Sequence, residues 1–192
     1  MHLPPHIRGL VFDCDGTLAD TMPLHQLAWE AACGRYGHEF PWELHMKYAG
    51  TPTHRIMEIL NAEHGYKLPL PEAGDLKEVL FRDYLPRVSA IEPVVRYVKH
   101  YSGRLPMSVA TGGNRTNCTA ILQSLNLLHH FAGLVTSDDV RHGKPAPDIF
   151  LRAAELINIP PQHCAAFEDA DMGLQAAHAA GMHVIDIRPL LR

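Results

Sequence analysis

The chain has 192 residues, 46% of them hydrophobic, and a formal charge of −4 at pH 7. That length suits one medium domain, or a core carrying a smaller inserted one, and the composition builds a substantial core rather than a disordered chain. Acids and bases are interspersed, which excludes nucleic acid or an anionic membrane as the main partner. No apolar run reaches the ~18 residues of a membrane span, and Met1 to His6 lacks the basic-then-apolar pattern of a secretory leader. The four cysteines, Cys14, Cys33, Cys118 and Cys164, form no C-x-x-C pair, so reduced thiols and a cytoplasmic location are expected. The 14 histidines frame no H-E-x-x-H motif, and surface positions explain their number better than a zinc site does.

In chain order, the first signal is Ile7 to Phe12, a short apolar run emptying into Asp13-Cys14-Asp15-Gly16-Thr17. It predicts a buried strand leading to a polar loop. From about Met22 to Val88 only helical patterns follow. Leu24, Leu27, Ala28, Ala31 and Ala32 mark one apolar face, Ile56, Ile59 and Leu60 a second, and Leu76, Val79, Leu80 and Tyr84 a third. Then strands and helices alternate. Met107 to Ala110, Phe131 to Val135, Cys164 to Phe167 and His183 to Ile187 are the strands; Thr116 to Leu127, Pro147 to Ile157 and Gly173 to Ala180 are the helices. This alternation predicts an α/β fold with a mostly parallel sheet covered on both faces, and a small all-helical domain inserted after the first strand. The expected boundaries are residues 1–20 and 89–192 for the catalytic core and 21–88 for the helical insert.

In an open α/β sheet, ligands bind beyond the carboxyl ends of the strands. The predicted strands present Asp13 and Asp15, then Thr111-Gly112-Gly113-Asn114, then Lys144-Pro145 some residues on, then Glu168-Asp169-Ala170-Asp171. Clustered carboxylates repel unless a cation neutralises them, and hard oxygen ligands favour Mg²⁺ over zinc. A lysine and a magnesium ion would attract a phosphate, and glycine-rich backbone lets N–H groups approach its oxygens. One carboxylate can then attack phosphorus while a second moves the leaving-group proton. Taken singly, each motif is also a turn, a helix start or a first-turn acid. Their joint occurrence in order, each at a strand end, selects phosphoryl chemistry.

These residues resemble the haloacid-dehalogenase-like hydrolase superfamily over essentially the whole chain. Asp13 to Leu18 matches its first motif, with Asp20-Thr21 as the usual continuation. Thr111-Gly112 matches the second, Lys144 to Asp148 the third, and Glu168-Asp169 with Gly173 the fourth. The resemblance implies a Rossmann-like core with Asp13 as nucleophile and Asp15 as general acid/base. It implies Mg²⁺ on the Asp13 carboxylate, the Asp15 backbone carbonyl and Asp169, with Glu168 as a further contributor, and Thr111, Gly112 and Lys144 on the phosphoryl group. Dehalogenases in the superfamily lack the second acid of the first motif, so Asp15 implies a phosphatase.

The helical insert resembles the cap of the β-phosphoglucomutase-like subgroup. That implies roles near the substrate for His25, Gly50, Thr53 and Arg55, whereas Trp29 reads better as core packing. The mutase cap carries an arginine where this chain has Thr53, and a lysine that aligns loosely with Leu80. The absence of those cations argues for hydrolysis over mutase action. The chain is similar, more narrowly, to short bacterial phosphatases of fructose 1-phosphate and 6-phosphogluconate, through Gly50 to Ile56 and Phe167 to Asp171. The implied partner is a small phosphorylated sugar, with the protein a monomer or weak homo-oligomer. Alternatives are a β-phosphoglucomutase-type isomerase, a dehalogenase and a catalytically idle binding module. Cys14 is expected to turn into the core as an inert small side chain, and Asp171 to be an exposed first-turn acid.

Overall fold

In the computed structural model, residues 3–48 and 51–191 are described. Five parallel strands, β1 (Gly9–Phe12), β4 (Met107–Ala110), β5 (Gly133–Val135), β6 (Cys164–Glu168) and β7 (His183–Asp186), form one sheet in the order β5-β4-β1-β6-β7. The chain runs outward from β1 through β4 to β5. It then returns to add β6 and β7 on the other side of β1, so β1 lies at the centre, where the direction of winding reverses.

The strands are short and apolar because both faces are covered. Leu10 and Phe12 of β1, Met107 and Val109 of β4, and Ala165 and Phe167 of β6 join one buried cluster. It is closed by Val94, Val95 and Val98 of α5 (Glu92–Tyr101) and Cys118, Ile121 and Leu122 of α6 (Arg115–Ser124). The alternate residues Val11, Ala110, Cys164 and Ala166 face a second cluster built on α7 (Asp148–Leu156) and α8 (Asp171–Ala179). The period of two thus sorts each strand between two helical layers. Phe12 and Phe167 stack across adjacent strands with ring centroids 4.5 Å apart, and complete burial of each such ring stabilises the fold by roughly 1.5–3 kcal/mol.

Helices α1 (Met22–Gly34), α2 (Trp42–Tyr48), α3 (Thr53–Glu63) and α4 (Glu72–Tyr84) fall between β2 (Ala19–Asp20) and β3 (Ser89–Ala90). Those two strands pair antiparallel, Ala19 with Ala90 and Asp20 with Ser89, so the helical segment leaves and re-enters through one narrow neck. It has its own buried cluster, including Trp29, Cys33, Phe40, Met57, Leu60 and Ala73. Leu24 and Ala28 of α1 and Phe81 of α4 instead join the large cluster under the sheet, which seats the helices on the core.

One predicted face is corrected. Helix α4 fully buries Ala73, Gly74, Lys77 and Phe81; of the predicted face, Leu80 and Tyr84 pack partly buried against the core, whereas Val79 is 47% exposed. The buried stripe contains a lysine and a glycine, so an apolar-periodicity count selects a neighbouring face of the helix. No helix among the described residues is long and apolar enough to cross a membrane.

Candidate active site

The carboxyl ends of β1, β4 and β6 open into a cavity of about 700 Å³, roofed by α1, α3 and α4. Its volume is of the size that holds a small ligand. Asp13 follows β1 directly and is 5% exposed. Lys144 arrives from the loop before α7, and its Nζ lies 2.6 Å from both Asp13 Oδ1 and Glu168 Oε2. Glu168 ends β6; its Oε1 accepts the backbone N–H groups of Asp169 (3.1 Å) and Ala170 (3.0 Å). Both oxygens are therefore engaged, and Glu168 acts in this geometry as the anchor of Lys144. Asp169 Oδ1 accepts the Thr17 hydroxyl at 2.7 Å.

Two glycines make room for these carboxylates. A Cβ on Gly16 would stand 2.4 Å from Asp169 Oδ2, and Gly16 also holds φ +83°, where side chains are strained. A Cβ on Gly173, in the first turn of α8, would stand 2.0 Å from Glu168 Oε2.

Three acids around one lysine leave excess negative charge. Burial, then repulsion by Glu168 and Asp169, pushes the Asp13 carboxyl well above the usual range against the pull of Lys144. Burial and Glu168 raise Asp169 to about 6, against the hydrogen bond from Thr17 and the charge of Lys144. Lys144 is driven the opposite way to burial: Asp13 and Glu168 hold it firmly protonated. Ligand oxygens of Asp13, Glu168 and Asp169 lie within 4.8 Å of one another. A buried, all-oxygen, over-negative cluster of this kind fits Mg²⁺.

Asp15 stands apart from that cluster. Its Oδ1 accepts the Thr21 hydroxyl at 2.7 Å and meets His25 Nε2 at 3.2 Å. Lys77 Nζ lies 3.0 Å from the other ring nitrogen of His25, Nδ1. An ammonium can only donate, so Nδ1 accepts and Nε2 carries the hydrogen given to Asp15. Burial and the Lys77 charge keep this imidazole neutral by lowering its pKa. Burial opposes ionisation of Asp15, but His25, Thr21 and Lys77 outweigh it and hold the carboxyl below its ordinary value. The His25 ring stacks on Phe81 with centroids 3.9 Å apart, which fixes its plane.

Thr111, at the end of β4, is 1% exposed and accepts the Gly113 N–H at 3.0 Å. Gly112 and Gly113 line the cavity with it. Helix α6 starts later, capped by Asn114, whose side chain accepts the Asn117 N–H at 2.8 Å.

The structure brings Asp13, Asp15, His25, Thr53, Thr111, Gly112, Lys144, Glu168 and Asp169 to one cavity. Arg55 does not join them: it is solvent-exposed on α3 and pairs with Glu58 at 2.7 Å, because Thr53 and Ile56 take the cavity-facing positions of that helix. Gly50 lies outside the described residues. Trp29 packs on Phe40 with centroids 4.6 Å apart and also lines the cavity. Cys14 is fully buried in the cluster beside Leu10 and Phe12, as the alternation predicts. Asp171 is an exposed first-turn acid, paired with Arg188 at 2.8 Å.

Sequence reasoning missed Lys77, and the expectation that α4 brings no cation to the site is corrected. Lys77 is 2% exposed with Nζ in the cavity, whereas Leu80, the loosely aligned position, packs against the core. Its neighbour Glu78 was missed too. Glu78 Oε1 accepts from Lys77 at 3.1 Å and from the Thr53 hydroxyl, and Oε2 accepts from Asn114 at 3.1 Å and from Asn117. The available signal was Lys77 and Phe81 one helical turn apart, which share a face only once the phase of the helix is known.

A model of the haloacid dehalogenase-like hydrolase family matches residues 7–181. Fructose-1-phosphate phosphatase YqaB of Escherichia coli is 40% identical over 95% of this chain and 97% of its own length. Beta-phosphoglucomutase of Bacillus subtilis is 28% identical over 94% of this chain and 83% of its own. Among solved structures, CbbY from Rhodobacter sphaeroides in complex with phosphate aligns with a TM-score of 0.84 at 25% identity, over 94% of this chain and 85% of that one. A family match over nearly the whole chain, with the four motifs converging on one cavity, establishes that this protein belongs to the haloacid dehalogenase-like hydrolases.

Proposed function

We propose that the protein is a phosphatase that hydrolyses a small sugar phosphate through an aspartyl-phosphate on Asp13, with Mg²⁺. The observation that carries this reading is the division of labour between two acids two residues apart. Asp13 sits in the cationic and acidic cluster with Lys144 Nζ at 2.6 Å, while Asp15 is held aside by Thr21 and His25. One is placed to attack, the other to handle a proton.

In the first step an Asp13 carboxylate oxygen forms a bond to phosphorus and the bond from phosphorus to the sugar oxygen breaks. Asp15 gives its proton to that oxygen, and the sugar leaves as an alcohol. In the second step Asp15 takes a proton from water. The water oxygen bonds to phosphorus, the Asp13–phosphorus bond breaks, and phosphate is released. Asp15 is ionised in the ligand-free site; a phosphate dianion arriving nearby raises its proton affinity by direct repulsion. Lys144 and Thr111 hold the phosphoryl oxygens, with Gly112 and Gly113 allowing close backbone approach. Mg²⁺, held by Asp13, Asp169 and the Asp15 carbonyl, would offset the phosphate charge and the excess charge of the acids.

Residues 21–88, which roof the cavity, are assigned as the cap that contacts the leaving group. The fructose-1-phosphate phosphatase relative, and a 6-phosphogluconate phosphatase of Escherichia coli that is 28% identical over 93% of this chain and 81% of its own length, point to those two esters as candidates. The β-phosphoglucomutase relative and the presence of Lys77 in the cavity keep an isomerase as second reading. Supplying β-glucose 1-phosphate separates them: the phosphatase releases glucose, the isomerase yields glucose 6-phosphate. Asp13→Asn should abolish turnover with an unchanged fold by circular dichroism; retained activity would sink the mechanism.

A further inference from the structure

We infer that Glu78 is a specificity-determining residue that restricts the leaving group to an uncharged polyol, excluding sugars that carry a second anionic group. The inference rests on the phosphatase reading above and adds the class of leaving group.

The leaving group must reach Asp15, and from Asp15 a bonded chain runs through His25 and Lys77 to Glu78 across the cavity wall. An ammonium has three donors. Those of Lys77 go to His25 Nδ1 at 3.0 Å, Thr53 Oγ1 at 3.3 Å and Glu78 Oε1 at 3.1 Å. Lys77 is therefore fully engaged within the protein and offers an incoming anion no free hydrogen.

Glu78 also draws in the remaining donors. Thr53 and Lys77 serve one oxygen, Asn114 and Asn117 the other, which fills the four lone-pair positions of a carboxylate. A second phosphate or a carboxylate entering here would have to break these bonds and stand against the Glu78 charge. Hydroxyl groups carry no charge to oppose Glu78 and can accept the second hydrogen of the Asn114 and Asn117 amides. The Glu78 side chain is only 13% exposed, so water screens that repulsion weakly. Discrimination by a disfavoured charge in this way is a repulsive device against the wrong substrate.

The test compares sorbitol 6-phosphate with 6-phosphogluconate, which differ in a terminal hydroxymethyl against a carboxylate. The unmodified enzyme should favour the neutral ester by about tenfold or more in kcat/KM, expressed mainly in KM. Glu78→Gln keeps the shape, loses the charge and frees Lys77, so the ratio should move by about tenfold toward the acidic ester, whatever happens to absolute rates. An unmodified enzyme that prefers the carboxylate, or a ratio unmoved in Glu78→Gln, overturns the inference. Failure to release phosphate from either ester, or from fructose 1-phosphate, would instead overturn the phosphatase reading.

Discussion

Replacing Lys144 with methionine removes one positive charge from between three buried acids while keeping most of the side-chain volume. Lys144 makes 2.6 Å contacts to Asp13 and Glu168 and is 7% exposed, so neither carboxylate finds water as a substitute. Removing one partner of a buried ion pair costs about 3–5 kcal/mol. At this chain length each kcal/mol shifts the melting temperature by about 2–4 °C, which gives a loss of roughly 6–20 °C at pH 8. The sign of the pH dependence follows from Asp13 and Asp169, whose pKa values burial and mutual repulsion already raise, Asp169 to about 6. A carboxyl with a folded pKa above its unfolded value binds more protons when folded, so it costs stability as pH rises through that folded value. Loss of Lys144 raises both further; the deficit relative to the unmodified protein should be largest at pH 8 and shrink toward pH 5. Thermal melts in the presence of a chelator at both pH values measure this, and added Mg²⁺ should restore part of the loss at pH 8. A deficit equal at the two pH values, or none, would refute the placement of Lys144 as the neutralising charge of the cluster.

Other expected outcomes follow from the same geometry. Asp169→Ala removes a carboxylate oxygen from the acidic cluster and should raise the Mg²⁺ concentration needed for half-maximal activity steeply; an unchanged metal titration would remove Asp169 from the ligand set. Gly173→Ala places a Cβ where Glu168 Oε2 lies, displacing the anchor of Lys144, and should lower kcat/KM about 100-fold with the helix otherwise formed. His45, buried with Nδ1 unpartnered, is lowered to about 4 by burial and by the nearby His25 and Lys77. The unfolded chain protonates His45 near pH 6.5 and the folded one does not, so stability should fall as pH drops from about 6.5 toward 4, by roughly 2 kcal/mol after allowance for screening. His45→Phe should flatten that part of the acid-stability curve, as read by urea midpoints.

The sheet was legible because its physics is local. The central strands β1, β4 and β6 are buried runs of four or five mostly apolar residues that end in polar loops, and the one hydroxyl inside them, Ser108, is met by the Ala153 carbonyl. The motif residues were legible because they sit at those ends: Asp13, Thr111 and Glu168 each immediately follow or end a strand. Lys144 was legible only by its order along the chain, since it reaches the cluster from a loop. Helix α4 was misread for a physical reason. Its buried face mixes Ala73, Gly74 and Phe81 with Lys77, and a lysine is buried only because His25, Thr53 and Glu78 stand ready to accept its hydrogens. Those three come from α1, α3 and α4, so the satisfaction of Lys77 is a tertiary fact that no local window contains. The exposure of Arg55 has the same origin: beside Thr53 and Ile56 on α3, only the packing of the helices decides which residue faces the cavity.

Lys77 also changes what the helical segment contributes to the chemistry. Without it, Asp15 would be held by Thr21 alone or by a histidine free to adopt either tautomer. With it, His25 is fixed as the donor to Asp15, because Nδ1 is committed to the ammonium. The helices therefore do more than cover the cavity: through His25 and Lys77 they help hold the Asp15 carboxyl below its ordinary value, which on the proposed mechanism readies it as the proton-handling acid. The same lysine, its three donors spent on His25, Thr53 and Glu78, offers a leaving group no free hydrogen. On the proposed function a phosphate dianion would meet Lys144 on the core side, beside Asp13. On that reading charge would orient the substrate, phosphate toward Asp13 and hydroxyls toward the helices. The 3.1 Å pairing of Lys77 with Glu78 would then act on the leaving group rather than on phosphorus.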